Sequence, residues 1–262
     1  MTGTDLRGPD LSGKVALVTG GSRGLGAEMV RAFAAAGADV VISSRRVEAC
    51  EKLAAEIVET TGRRAVAHAC HVGHWAEIDG LVEAAYGAFG AVDVLVNNAG
   101  MAPLYPSLTA VSEELFDKVV GVNLKGPFRL SALVGERMAA GRGGSIVNIS
   151  SLAAVRPSPN DLPYAAAKAG LNTLTAGLAV AYGPTVRVNG VMVGPFLTDI
   201  SKAWDVDAFQ AHARERYPLG RLGNPPEIVG TALYLASDQS SFMTGSVLTL
   251  DGGIGVSSPF PH

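Results

Sequence analysis

Short runs rich in β-branched residues alternate along this chain with longer stretches whose apolar positions recur every three or four residues. Residues 14–19 (KVALVT) form a continuous apolar run that ends in a glycine cluster. Such a run predicts a strand buried on both faces, as in a parallel sheet. Residues 24–37 then show helical periodicity through Leu25, Met29, Val30 and Phe33 and stop at Gly37. The same rhythm predicts strands over 39–43, 64–70 and 92–96. It predicts helices over Val47–Thr61 and Trp75–Phe89, closed by Gly62 and Gly90.

The second half continues the pattern. A long helical stretch covers 112–138, with a bend expected near Gly126-Pro127. Strands are expected over 144–149, 186–191 and 246–250, and helices over 164–182 and 226–236. Residues 198–217 mix apolar and charged positions with no clean strand. Strands alternating with helices of this length predict an α/β, doubly wound Rossmann fold, with a seven-stranded parallel sheet covered on both faces. No repeat, low-complexity block or linker interrupts the rhythm, so residues 1–262 are expected to form one domain.

Composition narrows the function classes. The chain is 48% hydrophobic, enough for one sizeable core, and carries a net charge of −3. No basic field argues for nucleic acid or an anionic membrane. No apolar run approaches the roughly 18 residues of a membrane span. The first residues contain no apolar h-region, so no secretory signal is expected. Two cysteines make no disulfide framework, which predicts a reducing, cytoplasmic compartment. The five histidines have no spacing that suggests a metal site.

The first candidate chemistry is the turn Thr19-Gly20-Gly21-Ser22-Arg23-Gly24-Leu25-Gly26. In a doubly wound sheet this turn sets a helix N-terminus beside the ligand crevice. Free N–H groups and the helix dipole attract a pyrophosphate there, and glycines let it approach. Any tight turn uses glycine; the strand–turn–helix context favours the nucleotide role. In NAD-binding Rossmann proteins a carboxylate about 20 residues past the glycines binds the ribose. Here the second strand ends Ser43-Ser44-Arg45-Arg46, with no carboxylate. Arg23 and Arg45 would together suit a 2′-phosphate. NADP(H) is therefore the expected cofactor, with NAD(H) as the alternative.

The second candidate is Tyr164-Ala165-Ala166-Ala167-Lys168, in a run with strong helix propensity. Residues at i and i+4 share one helix face, so phenol and ammonium are expected to face one space. A neighbouring ammonium lowers a phenol's pKa towards the range of a working acid–base group. An ordinary exposed helix carries the same spacing; the rest of the chain decides between the two.

The Thr-Gly-x-x-x-Gly-x-Gly turn resembles that of the short-chain dehydrogenase/reductase family, and the likeness covers nearly the whole chain. It includes Asn97-Asn98-Ala99-Gly100, Asn123, Ser150-Ser151, Tyr164-x-x-x-Lys168, Arg187-Val188-Asn189 and Asp251-Gly252-Gly253. The resemblance implies an oxidoreductase that moves a hydride between a nicotinamide and a small carbonyl or secondary alcohol. It implies Tyr164 as general acid in reduction and base in oxidation. Lys168 would lower its pKa and hold the nicotinamide ribose. Ser151 would bind the substrate oxygen, and Asn123 a water leading from Lys168 to solvent. The implied cofactor set is Gly20, Ser22, Arg23, Gly24, Leu25 and Gly26, then Ser44 and Arg45, His71 and Val72. Asn98, Ala99 and Gly100 follow, with Tyr164, Lys168, Gly194 and Thr198.

Two departures stand out. The family's Asp-Val after the third strand is His71-Val72 here. A neutral imidazole nitrogen is expected to accept from the adenine amino group in its place, unless His71 is merely an exposed loop residue. The Pro-Gly after the sixth strand is displaced to Val193-Gly194-Pro195, with Gly194 and Thr198 in their expected places.

On the substrate side, residues 156–163 (RPSPNDLP) are expected to form a stiff wall. Residues 198–217 are expected to cover the site, with Trp204, Phe209 and Tyr217 lining it or packing as core. Neither region announces a charged substrate: Asp161, Lys202, Asp205, Asp207, His212 and Arg214 have mixed signs, and most are expected to be solvated. A 3-oxoacyl-carrier-protein reductase would need a basic docking surface, for which Lys125, Arg129, Arg137 and Arg142 are candidates. A non-catalytic dinucleotide sensor is the alternative of a different class. A homotetramer is expected by family analogy, with the two long helices as its interface.

Overall fold

A computed structural model describes residues 8–198 and 206–256. Seven parallel strands lie in the order β3-β2-β1-β4-β5-β6-β7. They are β1 (Val15–Thr19), β2 (Asp39–Ser44), β3 (Ala65–Ala69), β4 (Val94–Asn97), β5 (Gly144–Ser151), β6 (Val186–Val193) and β7 (Val247–Leu250). Successive strand residues point to opposite faces. Val18, Val40, Ile42 and Val96 therefore bury on one side of the sheet, and Leu17, Val41, Leu95 and Ile146 on the other. Helices α1 (Gly24–Ala35), α2 (Val47–Thr61) and α8 (Val229–Ala236) close the first side. Helices α3 (Trp75–Phe89), α5 (Gly126–Ala140) and α6 (Leu162–Tyr182) close the second. With two covered faces, the strands read as unbroken apolar runs.

Two of the elements stop where glycine takes a left-handed conformation. Gly62 (φ 68°) ends α2 and Gly90 (φ 76°) ends α3. The bend in the fifth helical stretch differs from expectation. Helix α4 (Glu113–Val120) passes into a π-helical turn, Gly121–Lys125, before α5. The π-helical turn lies directly before Gly126-Pro127, and the backbone stays helical through both junctions. The wide turn is centred on Asn123, which is fully buried. Residues 198–217 contain a helix, α7 (Val206–Arg216). Among the charges expected on the substrate side, Lys202 and Asp205 lie outside the described residues, as does Trp204.

The chain direction reverses its strand order between β1 and β4. In open α/β sheets the ligand crevice lies at such a point, beyond the carboxyl ends of the strands. The candidate residues gather at those ends.

Candidate active site

The glycine turn is held closed by the residues after β4. Thr19 Oγ1 donates to Val96 O (3.2 Å) and accepts from the N–H groups of Asn98 (3.1 Å) and Ala99 (3.2 Å). Asn98 Nδ2 donates back to Thr19 O (2.9 Å) and Gly20 O (3.1 Å). Asn98 thus staples the turn to β4. Gly20 has φ 62°, and a Cβ there would lie 2.9 Å from Ala99 Cα. Thr19 was not among the expected site residues; its place directly before the glycines was the available signal.

Helix α1 begins at this turn with no acidic residue in its first turn and no side-chain cap at Arg23. Its first-turn N–H groups are therefore open to an anion. A Cβ at Gly24 (φ 53°) would fill the space towards Thr198, 3.5 Å from its Cγ2. These features fit a dinucleotide pyrophosphate. Leu25 packs against the core. Ser22 and Ser44 both reach the buried Cys50: Ser44 Oγ lies 3.1 Å from Sγ, and contact with Ser22 lowers the thiol pKa that burial raises. Arg45 and Arg46 are exposed at the end of β2, with no ion pair among the described residues.

His71 follows β3, beside Ser44, because Cys70 N–H bonds Ser44 O. Its Nδ1 accepts from Gly73 N–H at 3.1 Å. Its own N–H donates to Glu77 Oε2 (2.7 Å), and its ring stacks on His74 at 4.3 Å. Burial, His74 and Arg45 push its pKa below the ordinary value. A neutral ring whose Nδ1 accepts carries its proton on Nε2. His71 then presents a donor at Nε2, its Nδ1 being taken by Gly73 N–H. Val72 is buried against the second core cluster.

Strand β5 and helix α6 bring the remaining residues together. Ser151 is the last residue of β5; its hydroxyl accepts from Ala153 N–H (3.2 Å) and acts on the Tyr164 phenol. Lys168 is 3% exposed, and Nζ donates to Ile149 O at 2.8 Å. Nζ lies 5.7 Å from the Tyr164 ring centroid. Burial pushes Tyr164 above the ordinary phenol value; Ser151 pulls it down and Asp161 pushes it up. Lys168 is itself lowered to about 8 by burial. The expected acidification of the phenol by Lys168 is corrected accordingly: desolvation dominates, and Ser151 supplies the opposing pull.

Asn123 faces the same space. A Cβ at Gly100 would lie 3.1 Å from Asn123 Oδ1 and 3.7 Å from Lys168 Nζ. Asn123 Oδ1 accepts from Met101 N–H (3.2 Å), and Nδ2 donates to Met101 O (2.8 Å) and Val119 O (2.9 Å). Its side chain clamps the loop after β4 to the π-helical turn. One Oδ1 lone pair remains for a water. Gly194 is required by close packing: a Cβ there would lie 2.8 Å from Asp251 Cα.

A narrow cleft runs from Tyr164 past Pro103, Tyr105, Leu115, Val119, Asp161 and Pro163. Tyr105 ties its two walls: its hydroxyl donates to Pro159 O (2.8 Å) and accepts from Leu162 N–H (2.9 Å). Nothing in the sequence pattern marked Tyr105. Of the aromatics expected over the site, Tyr217 meets His212 edge-to-face and Phe209 is partly exposed. The candidate basic docking residues are largely neutralised: Arg129 pairs with Asp79, Arg137 with Glu83 and Arg142 with Asp93. Among the described residues no cluster of metal-ligating side chains occurs, and no helix is long and apolar enough to cross a membrane.

A family model described as enoyl-(acyl carrier protein) reductase matches residues 20–255. Dehydrogenase/reductase SDR family member 4 of Sus scrofa is 35% identical over 254 residues, covering 96% of this chain and 90% of that protein. L-rhamnose 1-dehydrogenase (NAD(P)(+)) of Azotobacter vinelandii is 39% identical over 248 residues, covering 92% and 96%. Among solved structures, a putative short-chain alcohol dehydrogenase from Sinorhizobium meliloti superposes with a TM-score of 0.90 at 38% identity. It covers 95% of this chain and 99% of that one.

Proposed function

The chain belongs to the short-chain dehydrogenase/reductase family, and on that premise we propose an NADP(H)-dependent oxidoreductase of ketones and secondary alcohols with Tyr164 as its acid–base group. The observation that carries this reading is the convergence of Ser151, at the carboxyl end of β5, with Tyr164 and the buried Lys168 on α6, where Ser151 pulls the phenol's pKa down. A bound nicotinamide supplies or takes the hydride. Tyr164 gives a proton to the carbonyl oxygen in reduction and takes one from the alcohol in oxidation. Ser151 donates to the same oxygen as charge builds on it. Lys168 holds the nicotinamide ribose, and Asn123 keeps the loop after β4 against it.

Gly20, Ser22, Arg23, Gly24, Leu25 and Gly26 would hold the pyrophosphate, and Arg23 and Arg45 the 2′-phosphate. Asn98, Ala99, Gly100, Gly194 and Thr198 would line the nicotinamide half. Arg45, without an ion pair among the described residues, and the missing carboxylate at the end of β2 support NADP(H) over NAD(H). The rhamnose dehydrogenase relative is named for use of either cofactor. The carboxylate partners of Arg129, Arg137 and Arg142 weigh against a carrier-protein docking surface. A sensor needs no proton donor, and Tyr164 with Ser151 supplies one. Family analogy supports a homotetramer built on α5 and α6.

Tyr164→Phe is the decisive variant. It is expected to bind NADPH like the wild type and to lose about 100- to 10,000-fold in turnover. Retention of the wild-type rate on a reduced ketone would refute the assignment.

A further inference from the structure

The cleft beside Tyr164 holds one carboxylate. Four of its walls, Pro103, Leu115, Val119 and Pro163, are apolar, and Tyr105 commits its hydroxyl to Pro159 O and Leu162 N–H. Asp161 lies at the start of α6 but does not cap it. Its Oδ1 accepts from Ser158 N–H at 2.9 Å. Its Oδ2 has no hydrogen-bond or ion-pair partner among the described residues. Its charge reaches the reacting phenol, whose pKa it pushes upward.

A carboxylate among apolar walls is costly to desolvate unless a cation meets it. No cation meets Oδ2 among the described residues, so the compensating charge is left to the substrate. We propose that Asp161 is a specificity-determining residue that selects ketones and secondary alcohols carrying a positive charge near the reacting carbon. This rests on the oxidoreductase reading above. Asp161 immediately precedes α6 and Tyr164 lies in its first turn, and both line one cleft. A cation a few bonds from the carbonyl carbon, as in a cyclic amino ketone, suits that arrangement. Anionic substrates meet repulsion at the same place. Neutral acyl chains leave the carboxylate uncompensated.

The test compares two ketones of one shape, 1,1-dimethyl-4-oxopiperidinium and neutral 4,4-dimethylcyclohexanone, on wild type and Asp161→Asn. Asparagine keeps the Oδ1 acceptor for Ser158 and removes the charge. The wild-type ratio of kcat/KM, cation over neutral, is expected to fall about tenfold in D161N, the ratio cancelling any effect of the lost charge on Tyr164. Calorimetric titration of the cation into NADPH-saturated protein is expected to show a loss of similar size. Raised salt should weaken the cation's binding to wild type and leave the neutral ketone unaffected, a measurement that stands if D161N fails to fold. Equal affinity of both proteins for the cation, or salt-independent binding to wild type, overturns the proposal. Reduction of the neutral ketone without any preference for the cation overturns it alone and leaves the oxidoreductase reading standing.

Discussion

Lys168 stands with its ammonium 5.7 Å from the ring centroid of Tyr164 and donates instead to Ile149 O, at 2.8 Å. The pair shares a helix face, but the lysine is anchored to the sheet rather than to the phenol. Its pKa lies near 8 against an ordinary 10.5, through burial. The folded state therefore releases this proton more readily than the unfolded state does. Below pH 8 both states hold the proton, and the cost of burying the charge is fully present. Between about pH 8 and 10.5 the unfolded chain binds more protons, so stability from this group rises with pH. The full difference is on the order of 3 kcal/mol. In cofactor-free protein, the stability of Lys168→Met relative to wild type should fall as pH climbs through that window. Urea unfolding at pH 7 and pH 10 checks it; a pH-independent difference would show that Lys168 carries no depressed pKa.

Gly26 leaves no room for a side chain. An added Cβ would lie 2.2 Å from Gly20 O and 2.6 Å from Asn98 Nδ2, and the first of these is backbone. Gly26→Ala must therefore push α1 away from the glycine turn. The expected cost is about 1–3 kcal/mol of stability, with weakened NADPH binding. A thermal melt and a fluorescence titration measure the two; an unchanged melting temperature would contradict the packing argument.

These two cases mark what the sequence could and could not convey. Strand and helix order was legible because both sheet faces are covered, and Gly62 and Gly90 punctuate α2 and α3 in left-handed conformations. Gly126-Pro127 marked an irregularity in the long helix, but not its form: a π-helical turn at 121–125, where Asn123 bonds Met101 and Val119. Spacing put Tyr164 and Lys168 on one face but carried no information on burial, which sets both pKa directions. Tyr105 and Asp161 acquire their places only when residues 101–108 and 156–163 fold against each other, a relationship with no local pattern.

Arg45 tests the cofactor choice. It is exposed at the end of β2 with no carboxylate partner among the described residues. Arg45→Asp places a carboxylate where NAD-binding proteins hold the ribose hydroxyls and where a 2′-phosphate would be repelled. NADPH affinity is expected to fall at least about tenfold while NADH affinity holds or rises. Fluorescence titration with both reduced cofactors measures the ratio. An unchanged ratio would move the phosphate contact away from Arg45.

His71 tests the base end of the same crevice. In the proposed binding mode, with a pyrophosphate at the β1 turn and a ribose over β2, the base would extend towards β3, where His71 stands. Gly73 N–H occupies Nδ1, and Glu77 fixes the backbone beside it. The neutral ring therefore presents Nε2–H, which pairs with an acceptor and not with the amino group of adenine. A hypoxanthine base carries a carbonyl where adenine carries that amino group. The nicotinamide hypoxanthine dinucleotide phosphate should therefore bind wild type at least as tightly as NADPH. His71→Asp restores an acceptor and should reverse the order, by about two- to tenfold. Both affinities can be read from the fluorescence of the reduced nicotinamide without any turnover. If His71→Asp leaves the two bases equally bound, the ring is turned away from the base and serves only to close the turn at Gly73.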